Sequence, residues 1–542
     1  MSRTFGLLTT QNAELKTAFA LVFLLAGFFW TSFYGLNFGT HWDENRAKFD
    51  SVRDSLRNGL LLQGAALSPE GKEYNHGGLN YLLIWAGLTP EVLRFLIVGP
   101  HTLESLSRTI NPILYTTTVR VRVRAIYVVL SGLCIVWSFG LVLLLGRSRM
   151  EALLAAALLS CSWEFAYHSR WIAPDAVMAQ FLWLSLLCLV AGEISRTLPW
   201  FYLGAVAMGL AVGTKYTAAL LLPFFVAGAG SSLWRKNGAV RFVAKNSLGI
   251  VLTATGTFVL TTPGSVLDPF RFFYQLGEQQ EIYGTGWYGY SVKPGVAHFL
   301  EILKYFTLQF FSHFGPISAV LAVFSLLGLA ALLLERKPAS CLLAAFCFAY
   351  LVFFSLQSAL IVRNLLVVVP FLSLAAARGI TVVAHRFGRN LSFGLYAAIG
   401  VLLAANFGWE VYAARQIKLR NHPEYFLQKF RGYVEGRPNH KFLVSARLFG
   451  ALRNTQAPMP ANMTADSSVD YTKIAFFQTE GADTHWETWP SNVWGLYERI
   501  FGPQEVNLEA YTTFIGNERI IVITKENFRK LPLKDTDLAV PQ

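Results

Sequence analysis

Apolar residues in this chain come in long unbroken runs, at about 17–37, 124–145, 151–167, 174–192, 200–214, 216–232, 247–263, 314–334, 340–357, 360–378 and 391–409. A helix needs about 20 mostly apolar residues to cross a bilayer. In lipid, only helices and closed barrels satisfy every backbone polar group. The pattern predicts an α-helical polytopic membrane protein with about 11 transmembrane helices. The runs in the pairs 151–167/174–192 and 200–214/216–232 are short, or divided only by a tight turn. Three long polar segments interrupt the runs, at about 38–123, 264–313 and 410–542. The first is rich in helix formers and predicts one or two helices along the interface. The last has strand-like runs at Phe442–Ser445, Lys473–Phe477 and Arg519–Thr524, between turn-rich stretches. It predicts a small α/β domain. The expected division is a membrane module over 1–409 and a soluble domain over 410–542.

Charge then orients the chain. Arg147 and Arg149 flank one short turn, and Arg196 sits in another. Arg235, Lys236, Arg241 and Lys245 fill a third, Arg336 and Lys337 a fourth, and Arg378, Arg386 and Arg389 a fifth. These turns alternate with poorly charged or long segments, so the positive-inside rule assigns them to the cytoplasm. The N-terminus is then cytoplasmic. With 11 spans the long segments and the C-terminal domain are extracytoplasmic, at the plasma (inner) membrane. The first apolar run lacks a small-residue cleavage site and further spans follow it, so it reads as a span.

Composition agrees with this class. Hydrophobic residues make up 54% and charged residues only 15%, against roughly 25% charged in soluble domains. The net charge of +13 is scattered over short loops that face an anionic leaflet. It argues for the lipid bilayer as partner and against nucleic acid. Cys134, Cys161, Cys188, Cys341 and Cys347 all lie in apolar runs, with no CxxC. Neither a disulfide framework nor a structural zinc site is indicated.

Five polar stretches interrupt or flank the apolar pattern. His41-Trp42-Asp43-Glu44 follows the first run. Adjacent carboxylates at a membrane surface are expensive to desolvate. They read either as a general base facing a lipid-borne substrate or as solvation of a helix end. Tyr74-Asn75-His76-Gly77-Gly78-Leu79-Asn80-Tyr81 opens an apolar helix. It reads as an anion- or sugar-binding turn with His76 at its centre, or as an ordinary interfacial turn. In Ser169-Arg170-Trp171-Ile172-Ala173-Pro174-Asp175, Pro174 and Asp175 suit the first turn of a helix. Arg170 is left to pair with Asp175 or with a phosphate. Lys215, in Gly213-Thr214-Lys215-Tyr216, sits between two runs as a site candidate or a snorkelling anchor. Arg363-Asn364 reads as a phosphate ligand or a helix anchor. Arg120, Arg122 and Arg124 fall at an outer end, against the positive-inside pattern, and read as calling for an anionic partner such as a lipid phosphate, or as ordinary headgroup contact.

Taken together these residues resemble one superfamily. The Asp43-Glu44 pair, the Arg-x-x-x-Pro-Asp turn at Arg170–Asp175 and the Gly-x-x-x-Gly-Thr-Lys-Tyr stretch at Gly209–Tyr216 occur in its order. So do the Arg-Asn-Leu-Leu-x-x-x-Pro run at Arg363–Pro370 and the small residues Ala375–Gly379. Over about 15–410 the chain resembles the GT-C membrane glycosyltransferases of the protein O-mannosyltransferase and aminoarabinose-transferase type. The resemblance implies a polyprenyl-phosphate sugar donor and a glycan, lipid or protein acceptor. It also implies inverting direct displacement. Asp43 takes the part of the outer-loop carboxylate that acts as base or orients the acceptor, with Glu44 beside it and Asp175 as the second acidic turn. Arg170, Lys215, Arg363 and His76 are the substrate-side residues. A divalent ion is used by some relatives, and no clear ligand set for one is visible. Two departures stand out. Where many relatives carry a Gly-His-x-Gly-like element, this chain has Tyr283-Gly284-Thr285-Gly286-Trp287-Tyr288-Gly289, without histidine. Where relatives often have Arg-Tyr, it has Arg363-Asn364.

Two other classes compete. A transporter or flippase of an amphiphilic anion would place its charges near the midplane, in symmetry-related repeats. No internal repeat is visible here, and the charges fall near helix ends. A polyprenyl-linked oligosaccharide ligase or polymerase shares the broad architecture.

Overall fold

The structure, a computed structural model, describes residues 2–38, 44, 48–57, 74–286, 292–419, 424–453, 458–466, 468–477, 506–509 and 519–528. The protein is a helical membrane protein with a small C-terminal sheet. Each of the eleven apolar runs is helical. The unbroken ones are Ser2–Phe33, Thr117–Leu144, Pro174–Ser195, Leu198–Thr214, Val240–Thr261, Gly315–Leu334, Pro338–Ser355 and Arg389–Leu419. Run 151–167 is divided into Arg149–Ser160 and Trp163–Ser169. Two others begin as 3-10 turns, Tyr216–Leu221 and Val362–Val368, and continue as the α-helices Leu222–Asn237 and Val369–Arg386.

Among the described residues, nine helices are long and apolar enough to cross a membrane. The first long polar segment is more helical than expected, with Asp50–Arg57, Leu79–Gly87, Thr89–Val98 and Leu103–Ile110. The middle two meet at 64° and together are apolar enough for a broken tenth span. The bend falls at Leu88, where Pro90 starts a new helix in its first turn, the position that tolerates a missing N–H.

Small residues let the bundle close tightly. A side chain at Gly328 would meet the Ala375 carbonyl, and one at Gly379 the Phe324 carbonyl, both within 2 Å. The helices Gly315–Leu334 and Val369–Arg386 therefore cross backbone against backbone, the packing that small residues permit in membranes. Ser325 Oγ donates to the Leu372 carbonyl at 2.6 Å beside this crossing.

The basic short turns collect at one end of the bundle. Arg378 Nη2 binds Glu335 Oε1 at 2.6 Å, and its Nη1 reaches Glu151 Oε2 at 3.3 Å. Arg147 Nη1 donates to Glu335 at 2.8 Å, and Lys337 Nζ to the Leu145 carbonyl at 3.2 Å. Arg149 reaches Glu14, in the first helix, at 2.9 Å. Partial burial works to raise the Glu335 carboxyl, but hydrogen bonds and charge from Arg147 and Arg378 outweigh it and hold it below its ordinary value. Like basic loops thus share one side, as the alternation along the chain requires.

The C-terminal part holds a five-stranded sheet in the order β2-β1-β3-β5-β4, with β1 Phe442–Val444, β2 Met463–Thr464, β3 Lys473–Phe477, β4 Val506–Glu509 and β5 Arg519–Thr524. Strand β1 runs parallel to β2 and β3, whereas β5 is antiparallel to β3 and β4. The three strand-like runs of the sequence are β1, β3 and β5. Leu427, Phe430 and Val434 of the helix Glu424–Glu435 pack on Phe442, Val444, Ala475, Ile520 and Val522 as a separate core. The last membrane helix continues to Leu419 before this unit begins.

Candidate active site

The charged residues predicted from sequence separate into two buried groups on the side opposite the basic turns. The first is built around Asp175. Ala173 is extended and Pro174 opens the helix Pro174–Ser195, so Asp175 stands in its first turn, where the helix dipole favours a carboxylate. Lys215 lies at a break. Leu198–Thr214 ends, Lys215 adopts φ −153° and ψ 129°, and a 3-10 turn follows. Its Nζ lies 2.5 Å from Asp175 Oδ1 and 2.5 Å from Asn364 Oδ1. Arg363 Nε is 3.5 Å from Asp175 Oδ2, and its guanidinium lies over the Trp171 ring at 5.2 Å. Asp175 is fully buried, with two cations on one carboxylate. Such an arrangement leaves net positive charge facing the remaining open directions, as an incoming anion requires.

The Tyr74–Tyr81 stretch packs directly on this break. Gly77 N donates to the Thr214 carbonyl at 3.2 Å, and Asn80 Nδ2 to the same oxygen at 2.7 Å. Tyr216 Oη donates to the His76 carbonyl at 3.1 Å. A side chain at Gly77 would collide with the Gly213 carbonyl at 2.1 Å, so only glycine admits this approach. The backbone at His76 is thereby tied to the residues on either side of Lys215, although 139 positions separate His76 from Lys215 in sequence.

The second group is built around Glu44, which is fully buried. Arg124 binds it with a two-pronged fork, Nε to Oε1 at 2.8 Å and Nη2 to Oε2 at 2.6 Å. Arg120 Nε adds a third contact at 3.6 Å. The Ile172 amide donates to Glu44 Oε1 at 3.1 Å. Arg124 Nη1 also donates to the carbonyls of Leu36 and Phe38, at 2.6 and 2.5 Å. Arg122 pairs with Glu91 at 2.7 Å. The anionic partners sought for Arg120, Arg122 and Arg124 are therefore carboxylates of the chain itself. The reason is local: the helix Thr117–Leu144 starts seven residues before the apolar run does, capped by Thr116, so the arginines point from its first turns. Asp43 lies outside the described residues, but its neighbour Glu44 is fastened to the same 170–175 turn that carries Asp175.

Arg170 is buried and is not joined to Asp175, whose cations are Lys215 and Arg363. Its Nη2 donates to the Thr31 carbonyl, while Nε and Nη1 have no hydrogen-bond partner among the described residues. The charge of Glu410 acts on it from the last span. Glu410 and the contact of Glu164 with His168 Nε2, 3.2 Å, were missed in the sequence. An isolated carboxylate directly after an apolar run, before the helix leaves the membrane, is costly, which was the available signal for Glu410. Among the described residues no group of three or more His, Cys, Asp or Glu could hold a metal ion.

Comparison with known proteins bears on this geometry. Residues 103–271 match the family model for dolichyl-phosphate-mannose-protein mannosyltransferases, a stretch that includes Arg170, Asp175 and Lys215. No curated protein matches by sequence. Among solved structures, ArnT from Cupriavidus metallidurans bound to undecaprenyl phosphate is similar at 13% identity and a TM-score of 0.49, covering 97% of this chain and 99% of that one. The archaeal oligosaccharyltransferase AglB from Archaeoglobus fulgidus, in complex with an inhibitory peptide and a dolichol-phosphate, is similar at 11% identity and a TM-score of 0.49, covering 96% and 77%. By the family match over 103–271 and the motifs on either side of it, the chain resembles the GT-C membrane glycosyltransferases of the protein O-mannosyltransferase type.

Proposed function

We propose that the protein transfers a sugar from a polyprenyl-phosphate donor to an acceptor hydroxyl on a glycan, lipid or protein, by inverting direct displacement at the anomeric carbon. One observation carries the reading most: the buried cluster of Asp175 with Lys215, Arg363 and Asn364. An ammonium has three donors. Lys215 uses two, on Asp175 and Asn364, and the third is available for the phosphate of the donor. Asp175 holds the two cations in place. Arg363, stacked on Trp171, and His76, held at the same break, complete the substrate side, with Arg170 as a further cation. Asp43 takes the proton of the acceptor hydroxyl or orients it.

The decisive assay uses purified protein in lipid nanodiscs with a panel of polyprenyl-phosphate sugars. Turnover of at least one is expected, and none by the wild type would overturn the reading. Donor binding in Lys215→Ala and Arg363→Ala should weaken by about 1.5–3 kcal/mol each, the scale of a hydrogen bond to a charged group. Unchanged binding in both would place the phosphate elsewhere.

The reading also requires the site to face outward. The chain is proposed to lie in the plasma (inner) membrane with its N-terminus cytoplasmic and residues 410–542 as an extracytoplasmic domain. A reporter enzyme fused after Gln542 should be active only outside the cytoplasm. Cytoplasmic activity would reverse the assignment of sides.

A further inference from the structure

Hydrogen-bond accounting around Asn364 points to one more participant, from a different helix. Asn364 is buried, at 1% exposure, in the 3-10 turn Val362–Val368. Its backbone carbonyl accepts from Tyr350 Oη at 3.0 Å. Its side-chain atom at 2.5 Å from Lys215 Nζ must be the oxygen, because an ammonium only donates. That settles the orientation of the amide, which side-chain shape alone leaves open. The amide nitrogen is then the atom 3.1 Å from Tyr283 Oη, and it donates to that oxygen.

The phenol proton of Tyr283 then has only one weak acceptor among the described residues. Its alternative acceptor, Asn364 Oδ1, lies at 3.3 Å, longer than the usual O–H···O range, and already serves Lys215. By accepting from Lys215 and donating to the Tyr283 oxygen, the amide sets these two side chains side by side, each with a donor to offer: the third N–H of Lys215 and the weakly served O–H of Tyr283. The backbone of Tyr283 is fixed independently of its side chain. Its carbonyl accepts from Ser358 N at 2.7 Å and Ala359 N at 3.1 Å. Its ring packs edge-on against Phe354 at 6.2 Å.

We propose that Tyr283 is a catalytic residue that donates a hydrogen bond to the phosphate of the donor beside Lys215. The inference rests on the polyprenyl-phosphate reading above. In the step, the acceptor oxygen forms a bond to the anomeric carbon as the bond from that carbon to the phosphate oxygen breaks. The electron pair of the broken bond stays on the phosphate, and the acceptor proton goes to the base. Tyr283 keeps its proton and shares it with the phosphate as the charge there grows. A donor aimed at developing charge acts most strongly in the transition state. Asn364 is a positioning residue that aligns Lys215 and Tyr283 on the same anion.

The test is binding of two probes, a polyprenyl monophosphate and the matching polyprenol, to wild type, Tyr283→Phe and Lys215→Ala in nanodiscs, read by native mass spectrometry. Tyr283→Phe removes one oxygen and keeps the ring on Phe354. It should weaken binding of the monophosphate about tenfold, the scale for one hydrogen bond to a charged group. Its binding of the polyprenol, which lacks the phosphate, should match wild type. Equal monophosphate binding by wild type and Tyr283→Phe, with Lys215→Ala weakened, would overturn the role of Tyr283 alone. Equal loss of both probes in Tyr283→Phe would also overturn it, since the hydroxyl would then be structural. Failure of the wild type to bind the monophosphate would instead overturn the donor reading itself.

Discussion

Asp43→Asn should lower turnover by roughly 10²–10⁴-fold, the usual worth of general-base assistance, while leaving donor binding intact. The substitution keeps size and shape and removes proton acceptance. Two nearby carboxylates are already committed. Both oxygens of Glu44 accept from Arg124, and one also from the Ile172 amide. Asp175 is occupied by Lys215 and Arg363. Asp43, the neighbour of Glu44 in sequence, is the carboxylate to which the family resemblance gives the base role. The measurement is turnover with the best donor from the panel, beside protein level and monophosphate binding for the same preparation. Near-normal turnover would sink the assignment. A parallel loss of donor binding would point to a holding role for the outer-loop pair.

Glu44→Ala should act differently, by destabilising the fold by about 3–5 kcal/mol, the cost of breaking a buried ion pair from one side. It strands Arg124, which is completely buried and has its guanidinium 3.7 Å over the Phe38 ring. It also releases the Ile172 amide and with it the turn that carries Asp175. Replacing both partners, Glu44→Leu with Arg124→Leu, should recover part of the loss, because Arg124 is then no longer buried without its carboxylate, although Arg120 still loses its contact with Glu44. Unfolding by denaturant in detergent micelles measures this, on protein never exposed to donor. A Glu44→Ala protein as stable as wild type but without turnover would return Glu44 to the chemistry.

The adjacent acids Asp43 and Glu44 show how far the chain can be read in one dimension. Both carry the same charge, and both follow the first span. Nothing local distinguishes the one that is tied to Arg124 from its neighbour. The arginine stands 80 positions away, and its apparent misplacement against the positive-inside pattern was the trace of that pairing. The same holds for Arg170 and Arg363. Each was a candidate partner for a phosphate, and proximity in sequence favoured Arg170 for Asp175. The fold gives that place to Arg363 and sets Arg170 on the Thr31 carbonyl.

What the sequence determined by itself was the class of the protein, the eleven apolar runs, the shared side of the basic turns and three strands of the C-terminal sheet. Those properties follow from hydrophobic run length, loop charge and residue alternation, which act locally and need no partner to be read. The tertiary structure alone decided which charges meet. It broke the 151–167 run, bent the first long polar segment at Leu88, and set Asn364 between Lys215 and Tyr283. The reason is that a buried charge or amide takes its partner from whichever helix packs against it. In a bundle that partner lies tens to hundreds of residues away, at a spacing no local pattern encodes.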